Sequence, residues 1–435
     1  MEEQSKIVVI FGPNGSGKTR MVEQMRRRMA SDRVRYLAFS DAYGPATDRA
    51  YYLQLRWNQH DIDEETPTVG SLLNRAYLLA GEDTTERRSL RNHLYKLFGM
   101  QPLLDKYVIL LSSGELRKFQ LIKTLLCNPT TLILDNPFIG LDAEARGQLS
   151  ELLRMLARKR GLQLYLLISR SGDLPDFADE IIRTDDDQDR VGGADALQVS
   201  SLLASLSARY DDYPSPVVID MHKVSIRYGE RTILRELDWK VLRGERWALS
   251  GPNGSGKSTL LSLVCADNPQ SYASDITLFG HQRGSGESIW EIKRHIGYVS
   301  PEMHRSYLRP IPAILVVASG LKDTVGLYVR PTEVERQQCR WWMRLFGIER
   351  LADRPFTQLS SGEQRLVLVT RAFVKNPQLL ILDEPLHGLD DFNRELVRTV
   401  IEAYCRQPDK TLIMVTHYEE ELPSCIDRRL NLIPQ

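Results

Sequence analysis

Two glycine-rich octets, GPNGSGKT at residues 12–19 and GPNGSGKS at residues 251–258, constrain the fold of this chain more than any other feature. Glycines let such a loop turn tightly and point its backbone N–H groups at phosphates. The lysine neutralises the β- and γ-phosphates, and the final hydroxyl completes a Mg²⁺ shell. A chance glycine-rich turn is the alternative for one octet, but a matched pair, each after an apolar run, predicts two nucleotide sites. The expected residues are Gly12, Pro13, Asn14, Gly15, Ser16, Gly17, Lys18 and Thr19 in the first, and Gly251, Pro252, Asn253, Gly254, Ser255, Gly256, Lys257, Ser258 and Thr259 in the second.

Four shorter motifs also occur twice, each pair at the same separation of 248 residues (345 − 97 = 248). They are LFG at 97 and 345, LSSGE at 111 and 359, LILD at 132 and 380, and GLD at 140 and 388. A fixed separation indicates two similar domains in tandem. An acidic, glycine-containing stretch interrupts the periodicity between them. We therefore predict a first domain at 1–184, an acidic linker at 185–216 and a second domain at 217–435.

The composition excludes several classes of protein. The longest apolar runs, such as residues 313–318, are far shorter than the ~20 residues that span a bilayer, and the N-terminus has no signal-peptide character. Lys plus Arg equals Asp plus Glu at 57 each, so no basic excess attracts nucleic acid. We expect a cytoplasmic protein without a transmembrane segment of its own. The cysteines form no CxxC pair, so no metal site or disulfide framework is expected; they are Cys127, Cys265, Cys339, Cys405 and Cys425.

The order of these motifs resembles that of the ABC-type ATPases over nearly the whole chain. The resemblance implies an α/β fold of two tandem P-loop NTPase domains, each with a mainly parallel sheet core and a helical signature subdomain, that hydrolyse ATP with Mg²⁺. On its own, LSSGE is an ordinary helix start, with Ser as N-cap and Glu in the first turn. In that family the equivalent signature caps the nucleotide of the other domain. The resemblance thus implies head-to-tail pairing, in which Ser112, Ser113 and Gly114 cap the second site and Ser360, Ser361 and Gly362 cap the first.

The two halves differ ahead of their phosphate loops. Residues 217–250 alternate apolar and polar side chains, which predicts a β-subdomain before the second loop. Only eleven residues precede Gly12, so the first half has no room for a complete one. The resemblance implies that Tyr228 stacks on the adenine of ATP, with a buried core tyrosine as the alternative.

The halves also differ where the LILD strands end. There the second half has Glu384, the residue that polarises the attacking water in this family. The first half has Asn136, which cannot take a proton, and losing a general base costs ~10²–10⁴ in rate. The Mg²⁺ ligands implied by the resemblance are Thr19 and Asp135 in the first half, and Ser258 and Asp383 in the second.

The next strand is followed by His417 in the second half and by Arg170 in the first. The family uses such a histidine to contact the γ-phosphate, and an arginine cannot act as a neutral acceptor. The second site, with catalytic residues Lys257, Glu384 and His417, is therefore expected to hydrolyse ATP. The first is expected to bind nucleotide and to hydrolyse it poorly.

Both halves lack the glutamine that couples these ATPases to a transmembrane partner: Ser300-Pro301 and Ser40-Asp41 stand there, and Gln54 is one candidate substitute. Residues 278–300 nevertheless resemble the ModF-like tandem ATPases, described as ATP-binding components of molybdenum transport. Two functions stay open. One is the motor subunit of a membrane transporter, for molybdate or a related anion, bound to the inner face of the cell membrane. The other is a soluble ATPase that acts on the ribosome, DNA or another complex.

Overall fold

The structure, a computed structural model, describes residues 6–29, 33–38, 66–111, 113–138, 143–184, 215–229, 231–252, 254–307, 309–324, 329–416 and 418–434. These residues form two compact units. The first comprises Met1–Asp189 with Gly388–Asp391, and the second Arg190–His387 with Phe392–Gln435. Of the expected linker, residues 185–214 lie outside the described residues.

The first unit is built on a parallel five-stranded sheet in the order β2-β3-β4-β1-β5. Its central strands are continuous Val, Ile and Leu runs, as expected for a sheet covered on both faces. The strands are β1 (Ile7–Phe11), β2 (Val34–Ala38), β3 (Thr131–Asp135), β4 (Gln163–Ile168) and β5 (Glu180–Arg183). The helices are α1 (Lys18–Met29), α2 (Val69–Leu79), α3 (Thr85–Leu97), α4 (Ser113–Leu126) and α5 (Ala143–Arg160).

The second unit has two sheets. One is antiparallel, with the strand order β10-β9-β6-β7, and the other is parallel, with the order β11-β12-β13-β8-β14. In the chain, β6 and β7 come before the first strand of the parallel sheet, and β9 and β10 come after it. The antiparallel strands are β6 (Val217–Tyr228), β7 (Arg231–Leu242), β9 (Asp275–Leu278) and β10 (His281–Gln282). The parallel strands are β8 (Arg246–Ser250), β11 (Ile296–Val299), β12 (Leu379–Asp383), β13 (Thr411–Val415) and β14 (Arg428–Asn431).

The helices of the second unit repeat the pattern of the first. One follows the phosphate loop, a group forms the helical subdomain, and one starts in the LSSGE motif. They are α6 (Lys257–Val264), α7 (Ile289–Lys293), α8 (Ala313–Ser319), α9 (Glu333–Leu345), α10 (Ser361–Phe373) and α11 (Asp391–Cys405).

The two parallel sheets have the same strand order, which confirms the predicted tandem α/β fold. In each sheet a single strand separates the strand before the phosphate loop from the strand that ends in Asp: β4 lies between β1 and β3, and β13 lies between β8 and β12. Carboxyl ends of parallel strands meet at one edge of a sheet, so each loop and its aspartate share an edge. Within the part of the first unit that the structure describes, no counterpart of the antiparallel sheet occurs, as predicted.

The strand register corrects one sequence comparison. Ala38 pairs with Asp135 in the first sheet, and Val299 pairs with the residue before Asp383 in the second. Ala38 is therefore the counterpart of Ser300, whereas the sequence comparison placed Ser40 there, two residues too late. Ser40, Asp41 and Gln54 lie outside the described residues.

None of the described helices is both long enough and apolar enough to cross a bilayer.

Candidate nucleotide-binding sites

The second phosphate loop requires its glycines. Gly254 and Gly256 have φ values of 82° and 94°, which side chains rarely adopt. A Cβ on Gly251 would lie 2.4 Å from the backbone oxygen of Leu432. Lys257 turns back over the loop and donates to the carbonyls of Gly251 at 2.6 Å and Pro252 at 3.0 Å. The loop therefore closes around its own lysine.

The charge environment of Lys257 connects the loop to the strand end. Burial lowers the pKa of this amine, and the negative charges of Asp383 and Glu384 oppose that shift. The ammonium is thus close enough to both carboxylates to interact with them. Among the described residues the hydroxyl of Ser255, which is buried, has no hydrogen-bond partner. An unpaired buried hydroxyl inside a ring of backbone amides fits a site for phosphate oxygens.

The first phosphate loop has the same backbone. Gly15 and Gly17 have φ values of 83° and 84°, and Lys18 donates to the carbonyls of Gly12 at 2.5 Å and Pro13 at 2.6 Å. The loop differs at Ser16, whose hydroxyl is 2.8 Å from the hydroxyl of Thr184.

Thr184 and Leu432 are counterparts, because each follows the last strand of its sheet and donates its amide to the strand before the loop. The hydroxyl on Thr184 therefore explains why the serine is paired in the first loop. Thr19 and Ser258, the expected Mg²⁺ ligands, are exposed in the first turns of α1 and α6.

The residues after the strand-end aspartates adopt one backbone conformation in both units. Asn136 has φ 48° and Glu384 has φ 49°. Their amides donate across the sheet to Leu167 at 2.8 Å and to Val415 at 2.9 Å. The two turns are equivalent in structure, so their chemical difference rests on side chains alone.

In the second unit a histidine binds the carboxylate of Glu384. Nδ1 of His387 is 2.7 Å from Oε2 of Glu384, and the amide of His387 closes a turn onto the Glu384 carbonyl at 3.2 Å. Sequence reasoning missed this residue; the available signal was a histidine three positions after the candidate base.

A buried arginine also binds the backbone of the turn that contains Glu384. Arg365, 2% exposed, donates to the carbonyls of Asp383 at 2.6 Å, of Glu384, and of Ser300 at 3.0 Å. A buried guanidinium needs several acceptors, and here the backbone supplies them. Arg365 was also missed, although it lies two residues after the LSSGE motif. It ties α10 to the strand end that carries the candidate base.

In the first unit the aspartate carboxylate is bound by neutral donors. Asp135 accepts from the phenol of Tyr36 at 3.1 Å and from the amide of Asn136 at 2.9 Å. Asn136 also accepts from the amide of Ser169 at 3.1 Å, so both ends of its side chain are engaged within the unit. Burial raises the pKa of Asp135, against the opposing effects of Tyr36 and Lys18.

Tyr228 lies half-buried at the end of β6. Nδ2 of Asn268 donates to its hydroxyl at 3.0 Å, and its ring packs against the core of the second unit. The ring therefore packs in part as a core tyrosine, and its stacking on adenine stays a prediction. At the end of β4 in the first unit, a guanidinium nitrogen of Arg170 lies 3.9 Å from a carboxylate oxygen of Asp173.

The second LSSGE motif begins a helix as predicted. Ser360 is the N-cap of α10: its hydroxyl accepts from the amide of Glu363 at 3.3 Å, and Glu363 accepts from the amide of Ser360 at 2.9 Å. Ser361 and Gly362 form its first turn. In the first motif, Ser113 and Gly114 begin α4. Ser112, Asn253 and His417 lie outside the described residues.

The donor set suits magnesium better than a caged metal ion. The described residues include no group of three or more His, Cys, Asp or Glu side chains able to hold a metal ion by themselves. Mg²⁺ usually binds one or two carboxylates together with substrate phosphates and water. One strand-end aspartate and one loop hydroxyl per unit fit that pattern.

Comparison with known proteins agrees with this geometry. The sequence profile of the ABC transporter family matches residues 3–139 and 234–387. The ABC transporter ATP-binding protein ModF of Escherichia coli K12 is 36% identical over 452 residues, which cover 97% of this chain and 90% of that protein. An uncharacterized ABC transporter ATP-binding protein of Schizosaccharomyces pombe, C323.04, is 29% identical over 88% of this chain and 80% of its own length. The chain therefore belongs to the ABC family, and it is an ATPase with two tandem cassettes.

Solved structures share the fold over nearly the whole chain. The RNase-L Inhibitor matches with a TM-score of 0.51 at 17% identity, over 99% of this chain and 86% of that one. A model of ribosome-bound archaeal Pelota and ABCE1 matches with a TM-score of 0.55 at 18% identity, over 95% of this chain and 70% of that one. At these identities the likeness supports the fold and nothing more.

Proposed function

We propose that this ATPase hydrolyses ATP at its second site and uses its first site mainly to hold nucleotide. The observation that carries the proposal is the pair of equivalent turns after the strand-end aspartates. One turn presents a carboxylate held by His387, and the other presents an amide that is already hydrogen-bonded at both ends. Only a carboxylate accepts a proton from the attacking water.

In this proposal each residue of the second site has a separate task. The loop amides and Lys257 bind the phosphates and stabilise the charge that develops on the γ-phosphoryl group. Glu384 orients the water and takes its proton. Asp383 and Ser258 would hold Mg²⁺, which would supply positive charge to neutralise the phosphates. Tyr228 would stack on adenine and His417 would contact the γ-phosphate.

The head-to-tail pairing of the two cassettes belongs to the same proposal. It rests on the family resemblance of the two LSSGE motifs. In it Ser112, Ser113 and Gly114 cap the second site, and Ser360, Ser361 and Gly362 cap the first.

Two matched variants test the division of labour. Lys18 and Lys257 make the same contacts to their own loops. Lys257→Ala should therefore abolish steady-state phosphate release, and Lys18→Ala should leave most of it. Equal loss from the two variants, or a larger loss from Lys18→Ala, contradicts the proposal.

We further propose that the turnover drives a membrane transporter for an anion, with the chain at the inner face of the cell membrane. The supporting observation is the 36% identity to ModF across both cassettes. No residue of this chain identifies molybdate as the solute, since an ATP-binding subunit does not contact the transported ion. The alternative, an ATPase acting on the ribosome, DNA or another soluble complex, is favoured by Pro301 at the position where a coupling glutamine is usual.

Affinity purification of the tagged full chain from detergent-solubilised membranes separates these roles. Co-purification of transmembrane subunits in the presence of ATP supports the transport role. Recovery of ribosomal or DNA-repair proteins without transmembrane subunits supports the alternative and overturns the transport role.

A further inference from the structure

Two thiols that the ATPase chemistry does not use lie together on the second unit. Cys405 is the last residue of α11, and Cys425 lies in the segment that leads into β14. Both are free thiols, and their side chains are in hydrogen-bonding contact. Cys405 is 3% exposed, whereas Cys425 is only partly buried. A solvent-borne reagent therefore reaches Cys425 first.

Bonds on both sides hold the two segments together. Glu402, one turn before the end of α11, accepts from the backbone amide of Ser424 at 3.0 Å and from its hydroxyl at 2.9 Å. Arg246 donates to the carbonyl of Cys405 at 2.6 Å, and its amide donates to Asp427 at 3.0 Å. These contacts fix the segment that carries Cys425 against the helix that carries Cys405. The two cysteines are therefore carried by segments that hydrogen bonds hold side by side.

The electrostatics assign different roles to the two sulfurs. The hydrogen bond from Cys405 lowers the pKa of the Cys425 thiol. Burial and the negative charge of Glu402 oppose this shift, and the charge of Arg246 assists it. The same hydrogen bond, followed by burial, raises the pKa of Cys405. Of the two sulfurs, the more exposed Cys425 is therefore the better placed to react first. A low-pKa, accessible cysteine beside a second thiol is the arrangement found in reversible peroxide-sensing sites.

We propose that Cys405 and Cys425 are a thiol-oxidation site that forms a reversible disulfide with a hydroperoxide as the oxidant. The Cys425 thiol loses its proton, and its sulfur attacks one peroxide oxygen to become a sulfenic acid. The O–O bond breaks, and the departing hydroxide takes up the proton lost by the thiol to leave as one water. The Cys405 sulfur then attacks the Cys425 sulfur, loses its proton, and displaces the hydroxyl as a second water. In sum, two thiols and one hydrogen peroxide yield one disulfide and two waters.

The position of this bond gives it a connection to the ATPase. The chain between the two cysteines contains β13 and His417. A disulfide would close that stretch into a loop and limit the conformations open to it. Such a bond suits the reducing conditions expected for this chain, because disulfides there are usually transient and redox-sensing. The cysteine spacing alone gave no sign of it, since the pair is far apart in sequence.

Peptide mapping of the full chain tests the proposal. Reduced protein is treated with hydrogen peroxide in small molar excess, its remaining thiols are blocked with a maleimide, and the digest is analysed by mass spectrometry. The expected product is one cross-linked peptide pair joining Cys405 to Cys425, which dithiothreitol reverses. Cys405→Ala should leave a sulfenic acid on Cys425 that dimedone traps, and Cys425→Ser should leave Cys405 reduced.

Cys127 supplies a matched control, since it is also a partly buried free cysteine. Cys127→Ser should leave the rate of cross-link formation unchanged. Oxidation of Cys127 before Cys425, or survival of both Cys405 and Cys425 as free thiols in wild-type protein after treatment, would overturn the proposal. The wild-type peptide map decides the question even if the Cys405→Ala chain fails to fold.

Discussion

The two cassettes have the same backbone at their strand ends and different side chains on it. Asn136 and Glu384 have nearly equal φ values, and the backbone amide of each donates a hydrogen bond to the neighbouring strand. In the first cassette, however, the carboxylate of Asp135 accepts hydrogen bonds from Tyr36 and Asn136. In the second, the strand end presents an additional carboxylate, bound by His387. The first cassette thus shares the backbone of this turn but has an amide where the second has a carboxylate.

The two phosphate loops likewise share a backbone conformation and differ in one side-chain contact. Both loops contain left-handed glycines and a lysine folded onto its own loop carbonyls. In the first, Ser16 has a partner in Thr184, whereas Leu432 is the counterpart of Thr184 in the second and the buried hydroxyl of Ser255 has no partner among the described residues. The first loop therefore pairs its serine hydroxyl within its own unit, and the second does not.

The largest effect should come from Glu384→Gln. Glutamine keeps the size and the hydrogen-bonding capacity of the side chain but cannot accept the proton, so steady-state phosphate release at saturating MgATP should fall by about 10²–10⁴. ATP binding, followed by a fluorescent analogue, should persist. Asn136→Gln is the matched control and should leave turnover within about a factor of two, because the first site is not expected to supply a base. A Glu384→Gln chain that keeps more than half the wild-type rate would contradict the assignment of the second site.

A second large effect should separate the two LSSGE motifs. If the first motif caps the competent site, Ser112→Arg places a bulky cation at the γ-phosphate position and should stop hydrolysis. Ser360→Arg should act chiefly on the degenerate site and reduce the rate less. Ser360 also caps α10, so its replacement removes about 1 kcal/mol of helix stability; unfolding midpoints of both variants must therefore accompany the rates. A greater loss of activity from Ser360→Arg would rule out head-to-tail pairing.

Much of this architecture could be predicted because it depends on local pattern. The glycine spacing, the apolar strand before each loop, and the Asp-ended strands each dictate a backbone conformation regardless of their surroundings. Ser360 could be predicted as an N-cap because its hydrogen-bond partner, Glu363, is only three residues away in the sequence.

The side-chain partners could not be predicted in the same way. Arg365 lies on α10 and donates to a backbone carbonyl at the end of β12. Thr184 follows the last strand of its sheet and forms a hydrogen bond with Ser16. Such contacts depend on which strands are neighbours, and sequence spacing does not reveal that. The strand comparison of Ser40 with Ser300 failed for this reason, because only the pairing of Ala38 with Asp135 fixes the register.

A moderate effect is expected on nucleotide choice. The first loop is intact, but residues 6–11, which the structure describes ahead of it, contain no tyrosine, tryptophan or histidine, so we do not expect the stacking contact proposed for Tyr228 there. A base-stacking contact is worth ~1–3 kcal/mol, so the preference for ATP over GTP at the first site should be weaker by about one to two decades. ATP and GTP are titrated against Lys257→Ala, in which the second site is disabled.

Strong adenine preference in that background would contradict this prediction. The alternative source of a stacking ring is Tyr43, Tyr51 or Tyr52, which lie outside the described residues. Loss of the preference on mutating one of these tyrosines to alanine would identify the substitute.

The smallest effect should come from His387→Ala. Nδ1 of His387 lies 2.7 Å from Oε2 of Glu384, so this histidine is proposed to orient the base. A hydrogen bond to a charged group contributes ~1.5–3 kcal/mol, and part of that is recovered by water, so kcat should fall about tenfold while KM for ATP stays constant. His387→Asn, whose amide can donate to the same oxygen, should restore most of the lost rate. Because a merely structural role would lower stability without this split between kcat and KM, unchanged turnover in His387→Ala, or no recovery in His387→Asn, would show that Glu384 is oriented by other contacts.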